Sequence, residues 1–242
     1  MERETVTLVN GVKITGYNNE EDIYNDIEKI KKEKGYVIAN YMYWVPFVKS
    51  KQIKEYNMAL ELSDFIFPDG VGLLTYIKLL YKKKLKNLNG TDLNPKLIDY
   101  FKRNESKIAL YGTNKENLEK CRLNLEKKGV NIYYSQDGYS KLNFDNIEEN
   151  TVLFVGMGSP TQEIWVKDNI EVIKTKKLIV ITVGGYFDFE AGYYKRAPEI
   201  VRKLKMEWIY RIIDNPKKHL LKYMNNFYFI PYIIFDRIKI KN

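Results

Sequence analysis

The stretch Val152-Leu-Phe-Val-Gly156-Met-Gly158-Ser-Pro-Thr-Gln162-Glu163-Ile-Trp-Val166 runs from a short apolar segment through two glycines into a helix start. Ser159, Pro160 and Gln162 suit the N-cap, N1 and N3 positions of a capping box with proline at the first helical position. Gly156 and Gly158 allow close approach of backbone to a ligand. The helix start beyond them offers unpaired N–H groups and a positive dipole end, the elements of a phosphate site. A tight strand-to-helix turn with no ligand is the alternative reading of a bare Gly-x-Gly. Thr161 stands where the third glycine of a dinucleotide fingerprint would fall, which disfavours NAD or FAD.

Working outward, apolar and β-branched runs recur with helical patterns between them. The runs Tyr36–Tyr41, Asp64–Phe67, Lys107–Tyr111, Asn131–Tyr134, Val152–Val155 and Leu178–Val183 read as strands. Glu20–Lys34, with Ile23, Ile27 and Ile30 on one face, reads as a helix, as do Val71–Tyr81, Lys115–Lys128 and Thr161–Lys174. This alternation predicts an α/β body built on a mainly parallel sheet flanked by helices. Ligands in such sheets bind beyond the carboxyl ends of the strands. The Gly156 loop, the Pro68-Asp69-Gly70 turn and the Gly112-Thr-Asn114 turn all fall there. Asp137-Gly138 reads as a turn only.

The 242 residues carry a net charge of +9, unevenly distributed. From Glu199 to Asn242 there are ten Lys/Arg against four Asp/Glu, a net of +6 that leaves +3 for the longer body. Eight aromatics interleave with that charge: Trp208, Tyr210, Tyr223, Phe227, Tyr228, Phe229, Tyr232 and Phe235. A body over residues 1–198 followed by a basic, aromatic, helical appendage over 199–242 is the expected division. Such an appendage suits an anionic membrane surface or a nucleic acid. Leu204, Trp208 and Ile212 form a stripe at helical spacing that also suits a core face. The longest apolar run of the appendage, Phe227 to Phe235, contains Pro231 and falls short of the roughly 20 residues that span a bilayer. The N-terminus lacks the apolar segment of a signal peptide, so a cytoplasmic location is expected.

Cys121 is the sole cysteine and His219 the sole histidine, and His219 lies in the basic tail. Cysteine- or histidine-rich metal sites are thereby disfavoured, and so are histidine-based triads. Chemistry then falls to carboxylates, amides, hydroxyls, cations and backbone N–H groups. Asp69 sits at a strand end where the chain turns into a helix, a position for a turn or N-cap aspartate as well as for a functional one. Asn89-Gly-Thr91-Asp92 precedes another helix, with Asp92 a cap or a ligand contact. Gly184-Gly-Tyr-Phe-Asp188-Phe-Glu-Ala-Gly192 follows the last apolar strand and leads to Arg196-Ala-Pro198. No strict Asp-x-Asp occurs, so a nucleotide-diphosphate leaving group would be met by protein cations and helix dipoles rather than by Mg²⁺ or Mn²⁺.

Together these motifs resemble the WecG/TagA/CpsF family of bacterial glycosyltransferases. The matching pieces are Pro68-Asp-Gly-Val-Gly72, Asn89-Gly-Thr-Asp-Leu93, Gly156-Met-Gly-Ser-Pro-Thr-Gln-Glu163, Phe187-Asp-Phe189 with Gly192 and Arg196-Ala-Pro198, and Glu207-Trp-Ile-Tyr-Arg211. The resemblance implies a Rossmann-like body that transfers a sugar from a UDP-sugar, typically UDP-N-acetylmannosamine, with inversion and without a metal or other cofactor. It implies an acceptor sugar on undecaprenyl diphosphate at the inner membrane face, in surface polysaccharide or teichoic acid synthesis, and a peripheral enzyme that can self-associate. Asp69 would be the general base. Thr91, Asp92, Gly156, Gly158, Gln162, Glu163, Asp188 and Arg196 would line the UDP-sugar pocket. Arg211, Lys217, Lys218 and Lys222 of the appendage would meet the diphosphate and the lipid acceptor. Two departures fall near the sugar. Tyr41 and Tyr43 stand where the family often has Thr-x-Asn, with Asn40 adjacent, and Asn87 stands where many members have arginine. Glucose, N-acetylglucosamine or a uronic acid are therefore alternative donor sugars. A nucleic-acid-binding module built on the basic tail is the competing class.

Overall fold

The computed structural model describes residues 3–194, Val201 and residues 229–241. An N-terminal hairpin that sequence periodicity did not predict comes first, β1 (Glu4–Thr7) antiparallel to β2 (Lys13–Gly16). The six expected strands follow with their ends shifted by one or two residues. They are β3 (Val37–Met42), β4 (Phe65–Pro68), β5 (Ile108–Gly112), β6 (Ile132–Gln136), β7 (Val152–Gly156) and β8 (Ile179–Thr182). They form one parallel sheet in the order β4-β3-β8-β7-β5-β6.

Register assigns each strand residue to a layer. Ala109, Leu153, Val180 and Ile38 pair in register and are fully buried on one face. Their neighbours Leu110, Phe154 and Ile181 pair in turn and are buried on the other. Burial on both faces explains why these strands read as unbroken apolar runs.

Helix α1 (Glu20–Lys34) is capped by the Asn19 side chain, which accepts from the Asp22 N–H, and ends at Gly35 in the left-handed conformation. Ile23 and Ile27 are buried as expected. Two short helices, α2 (Trp44–Gln52) and α3 (Lys54–Glu61), fill a segment the sequence reading left unassigned. Then come α4 (Val71–Tyr81), α5 (Gly90–Arg103) and α6 (Lys115–Lys127). The helix expected over Thr161–Lys174 is two helices, α7 (Thr161–Asp168) and α8 (Ile170–Thr175). The break is at Asn169, whose side-chain amide donates to the Trp165 carbonyl and closes α7. A short α9 (Tyr186–Glu190) follows β8.

The last described element, α10 (Phe229–Lys241), holds Pro231 in its first turn, where proline costs no internal hydrogen bond. It packs on α2 and α4. Tyr232 meets Trp44 edge-on with ring centroids 6.1 Å apart. Asp236, 1% exposed, takes the Lys51 ammonium at 2.5 Å and the Tyr76 hydroxyl at 2.6 Å. The end of the expected appendage is therefore clasped to the body. The boundary at 198/199 and the Leu204–Trp208–Ile212 stripe lie outside the described residues.

Candidate active site at the carboxyl edge of the sheet

Because all six strands are parallel, their carboxyl ends share one edge. From β5 the chain crosses through α6 to β6, and from β7 it crosses through α7 and α8 to β8 in the opposite direction. β5 and β7 are neighbours, so a crevice opens between them at a topological switch point, where open α/β sheets bind ligands. The turns meet tightly there. The Thr113 N–H donates to the Gly156 carbonyl at 2.8 Å. A Cβ on Gly112, at φ +142°, would stand 2.3 Å from that oxygen, and one on Gly156 would stand 2.5 Å from the Phe187 ring. Both glycines are required for this approach.

Beside this point a cavity of about 650 Å³ is lined by residues that follow β5, β6 and β8, Thr113, Asn117, Lys120, Tyr139, Asp188 and Tyr193 among them, but not by the expected Gly156, Gly158, Gln162 or Glu163. One Asp188 oxygen accepts from the Thr113 hydroxyl at 2.6 Å and from the Asn117 amide at 2.9 Å, which ties α9 to the start of α6. Tyr139 and Tyr193 are 87% and 64% exposed at its rim, open aromatic faces beside polar groups. Asp188 was among the expected site residues, whereas Thr113, Asn117 and Tyr139 were not. The Asp137-Gly138 turn does more than reverse the chain. The Gly138 N–H donates to the Thr113 carbonyl, and the space of a Gly138 Cβ is within 3.0 Å of Gly112.

The Gly156 loop departs from the expected capping box. Pro160, not Ser159, is the N-cap residue of α7, and no side chain caps it. The Ser159 hydroxyl instead donates to Glu163 at 2.7 Å. Gln162 turns back and accepts with its Oε1 from the Gly158 N–H at 3.1 Å and the Gly184 N–H at 3.0 Å, stapling the loops after β7 and β8. Its amide nitrogen donates to Glu163 Oε1 at 2.8 Å. Gln162 and Glu163 are both buried, and Glu163 Oε2 has no hydrogen-bond partner among the described residues. Burial pushes the Glu163 carboxyl above its ordinary range, opposed by the hydrogen bonds from Ser159 and Gln162.

Asp69 lies three strands from β7 on the same edge, about 14 Å away at normal strand spacing. It is half-buried. Its N–H donates to the Met42 carbonyl at 2.8 Å. The N-cap residue of α4 is Gly70, one residue beyond Asp69. Gly70 adopts φ 82°, ψ 153°, a conformation open to glycine alone. Its N–H donates to Asn87 Oδ1 at 2.8 Å, and the Leu88 N–H donates to the Pro68 carbonyl. Tyr41 is buried at the end of β3 and bonds Asn94 at 2.7 Å. Burial raises its hydroxyl pKa, and the Asp69 charge adds to that shift. Tyr43 follows at the N-cap of α2, near Gly70. Asn40 is buried in bonds to Thr182 and Ser63, away from the edge.

Thr91 and Asp92 open α5 in a reciprocal cap. The Asn89 side chain accepts from the Asp92 N–H and the Thr91 hydroxyl and donates to the Asp92 carboxylate. Arg196, Arg211, Lys217, Lys218 and Lys222 lie outside the described residues.

Comparison with known proteins agrees with this architecture. Residues 7–242 match the model of the "Glycosyl transferase WecG/TagA/CpsF family". A relative from Bacillus spizizenii is 29% identical over 177 residues, covering 70% of this chain and 68% of its own length. One from Bacillus subtilis is 27% identical over 207 residues, covering 80% and 77%. Both are named N-acetylglucosaminyldiphosphoundecaprenol N-acetyl-beta-D-mannosaminyltransferase. The chain belongs to this family and is a glycosyltransferase. Neither comparison supports the nucleic-acid-binding alternative.

Proposed function

We propose that this family member transfers N-acetylmannosamine or a related hexose from a UDP-sugar to a sugar carried on undecaprenyl diphosphate, with inversion and without a metal ion. The observation that carries the proposal is Asp69, at the end of β4 on the same edge as the β5/β7 crevice. The nucleoside sits in the crevice, with Thr113, Asn117 and Asp188 as polar partners and Tyr139 as an aromatic face. The sugar then extends along the edge toward β4. Asp69 accepts the proton of the acceptor hydroxyl as that oxygen bonds to the anomeric carbon. The bond from that carbon to UDP breaks on the opposite face, and its electron pair leaves on the diphosphate. One carboxylate suffices for such a single displacement. The charge of the leaving group is met by the cations Arg196, Arg211, Lys217, Lys218 and Lys222.

A membrane-facing role for residues 199–242 is part of the proposal. Among the described residues no helix is long and apolar enough to cross a membrane. The outer side of α10 exposes Ile234, Phe235 and Ile238 beside Arg237 and Lys239. Apolar and basic residues on one helix face suit the surface of an anionic bilayer.

The test pairs binding with turnover. In Asp69→Asn, thermal stabilisation by UDP should persist while transfer falls about 10²- to 10⁴-fold, the range of general-base catalysis. Near-normal turnover would remove Asp69 from the mechanism. Stabilisation by one UDP-sugar out of a panel, unchanged by EDTA, would name the donor and support the metal-free reaction.

A further inference from the structure

We propose that Asn87 is the positioning residue of the Asp69 base, holding the carboxylate's direction through the backbone of Gly70. This rests on the assignment of Asp69 above.

Main-chain pairs hold the backbone of the Asp69 turn: Asp69 N–H to Met42, Leu88 N–H to Pro68 and, longer at 3.4 Å, Leu74 N–H to Gly70. To these a side chain is added, Asn87 Oδ1 accepting from the Gly70 N–H at 2.8 Å. Gly70 adjoins both the base and the first residue of α4, so rotation about its bonds re-aims Asp69. At φ 82° and ψ 153° it has no Cβ to restrict that rotation, and a hydrogen bond must do so. Of the two ends of an amide only the oxygen accepts from an N–H, so the Asn87 side chain has one orientation here.

The segment that presents Asn87 is itself held. It is the irregular connection from α4 to α5, residues 82–89, which crosses the end of β4. Leu85 packs on Gly16, the Lys86 ammonium donates to the Asn18 carbonyl at 3.1 Å and reaches Glu20 at 3.7 Å, and Lys83 pairs with Glu4. These contacts fix the loop on either side of Asn87, which is itself exposed and reaches Gly70 from the solvent side.

Two substitutions separate the clamp from other roles. Asn87→Leu keeps volume but loses the acceptor. It should lower kcat about 10- to 100-fold, the scale of a misplaced reacting group. Donor and acceptor KM should stay within about twofold. Asn87→Asp keeps the acceptor and should retain most of kcat at high pH. Its added carboxylate lies near Asp69, so the acid limb of the pH–rate profile should move to higher pH. Wild-type kcat in Asn87→Leu would overturn the proposal. A loss confined to KM would overturn it too, because Asn87 would then be a substrate contact. Equal losses in both variants with an unmoved acid limb would also do so. Thermal midpoints of both variants exclude misfolding as the cause. Asp69→Asn is assayed alongside: if it turns over normally, the base assignment falls and the clamp with it, whereas a failure of the Asn87 variants alone leaves the base in place.

Discussion

Removing the Asp236 carboxylate tests how the last helix is held. Asp236 on α10 is 1% exposed and takes two 2.5 Å contacts from Lys51 on α2 and one at 2.6 Å from Tyr76 on α4. Lys51 is itself mostly covered, with 14% of its side chain exposed and its ammonium 4.6 Å from the centre of the Tyr232 ring. Asp236→Ala strands a buried ammonium and a buried hydroxyl. Breaking a buried pair from one side costs about 3–5 kcal/mol. For a chain of this size about 2–4 °C of melting temperature is lost per kcal/mol, so full coupling would lower the midpoint by roughly 6–20 °C. The loss stops, however, once α10 detaches, because the body is then no worse off. The expected result is a midpoint drop at or below the lower end of that range, with amide protection lost along α10 and kept in β3 and β7. Lys51→Met should also destabilise, since it leaves the carboxylate with Tyr76 alone. The double variant Asp236→Leu/Lys51→Met should recover stability, because neither charge remains to be buried. Melting by circular dichroism and hydrogen exchange measure both. If each single variant stays within about 0.5 kcal/mol of the parent with α10 protection intact, apolar contacts such as Tyr232 hold the helix and the charge cluster does not.

Two further outcomes follow from the edge itself. The Glu163 carboxyl is held above its ordinary value of 4.5 by burial, so over a window opening near pH 4.5 the folded chain binds a proton that the unfolded chain has released. Stability therefore falls as pH rises through that window, and Glu163→Gln, which keeps an acceptor for Ser159, should flatten the dependence in urea titrations at a series of pH values. Asp188→Ala releases Thr113 and Asn117 together, so UDP should bind at least about tenfold more weakly by calorimetry, a change of about 1.4 kcal/mol; unchanged affinity would move the nucleotide out of the crevice.

The sheet was legible because its strands are central and parallel. A strand buried on both faces cannot afford polar residues, so Val152–Val155 and Leu178–Val183 stand out without any alternation to detect. The hairpin β1–β2 escaped because strands of four residues, with Thr and Gly among their buried positions, carry too few apolar side chains to show a period. Segments α2 and α3 escaped because each is about two turns long, and α2 carries Pro46. At the site, Pro68-Asp69-Gly70 announced a strand-end carboxylate, but the local sequence could not tell a cap from a functional acid. In the structure Gly70, not Asp69, is the N-cap residue of α4. The Gly156 loop announced a close approach yet misled about its capping, because a sequence does not say which way an amide turns. Asp188 was expected at the site, but its partners Thr113 and Asn117 were not: they reach it only because β5, β7 and β8 lie side by side, and the Gly112-Thr-Asn114 turn was the one local signal for them.

The turning-in of Gln162 bears on where the charge for catalysis comes from. A helix start after a Gly-x-Gly turn normally offers its N–H groups to a phosphate. Here the Gly158 and Gly184 N–H groups are already bonded to a buried amide oxygen, so an anion at this loop would have to break both bonds. On the proposed reaction side-chain cations would then meet the donor's diphosphate: Lys120 lines the cavity, and one segment of the sequence is rich in others. Residues 195–228 carry nine Lys/Arg against three Asp/Glu. The two ends of that segment are fixed at different points of the edge. At one end Tyr193 and Tyr194 line the β5/β7 crevice. At the other α10 is clasped to α2 and α4, the helices that start on either side of Asp69. On the proposed reaction the Gln162 staple thus shifts the task of meeting the leaving diphosphate from these two backbone N–H groups to side-chain cations.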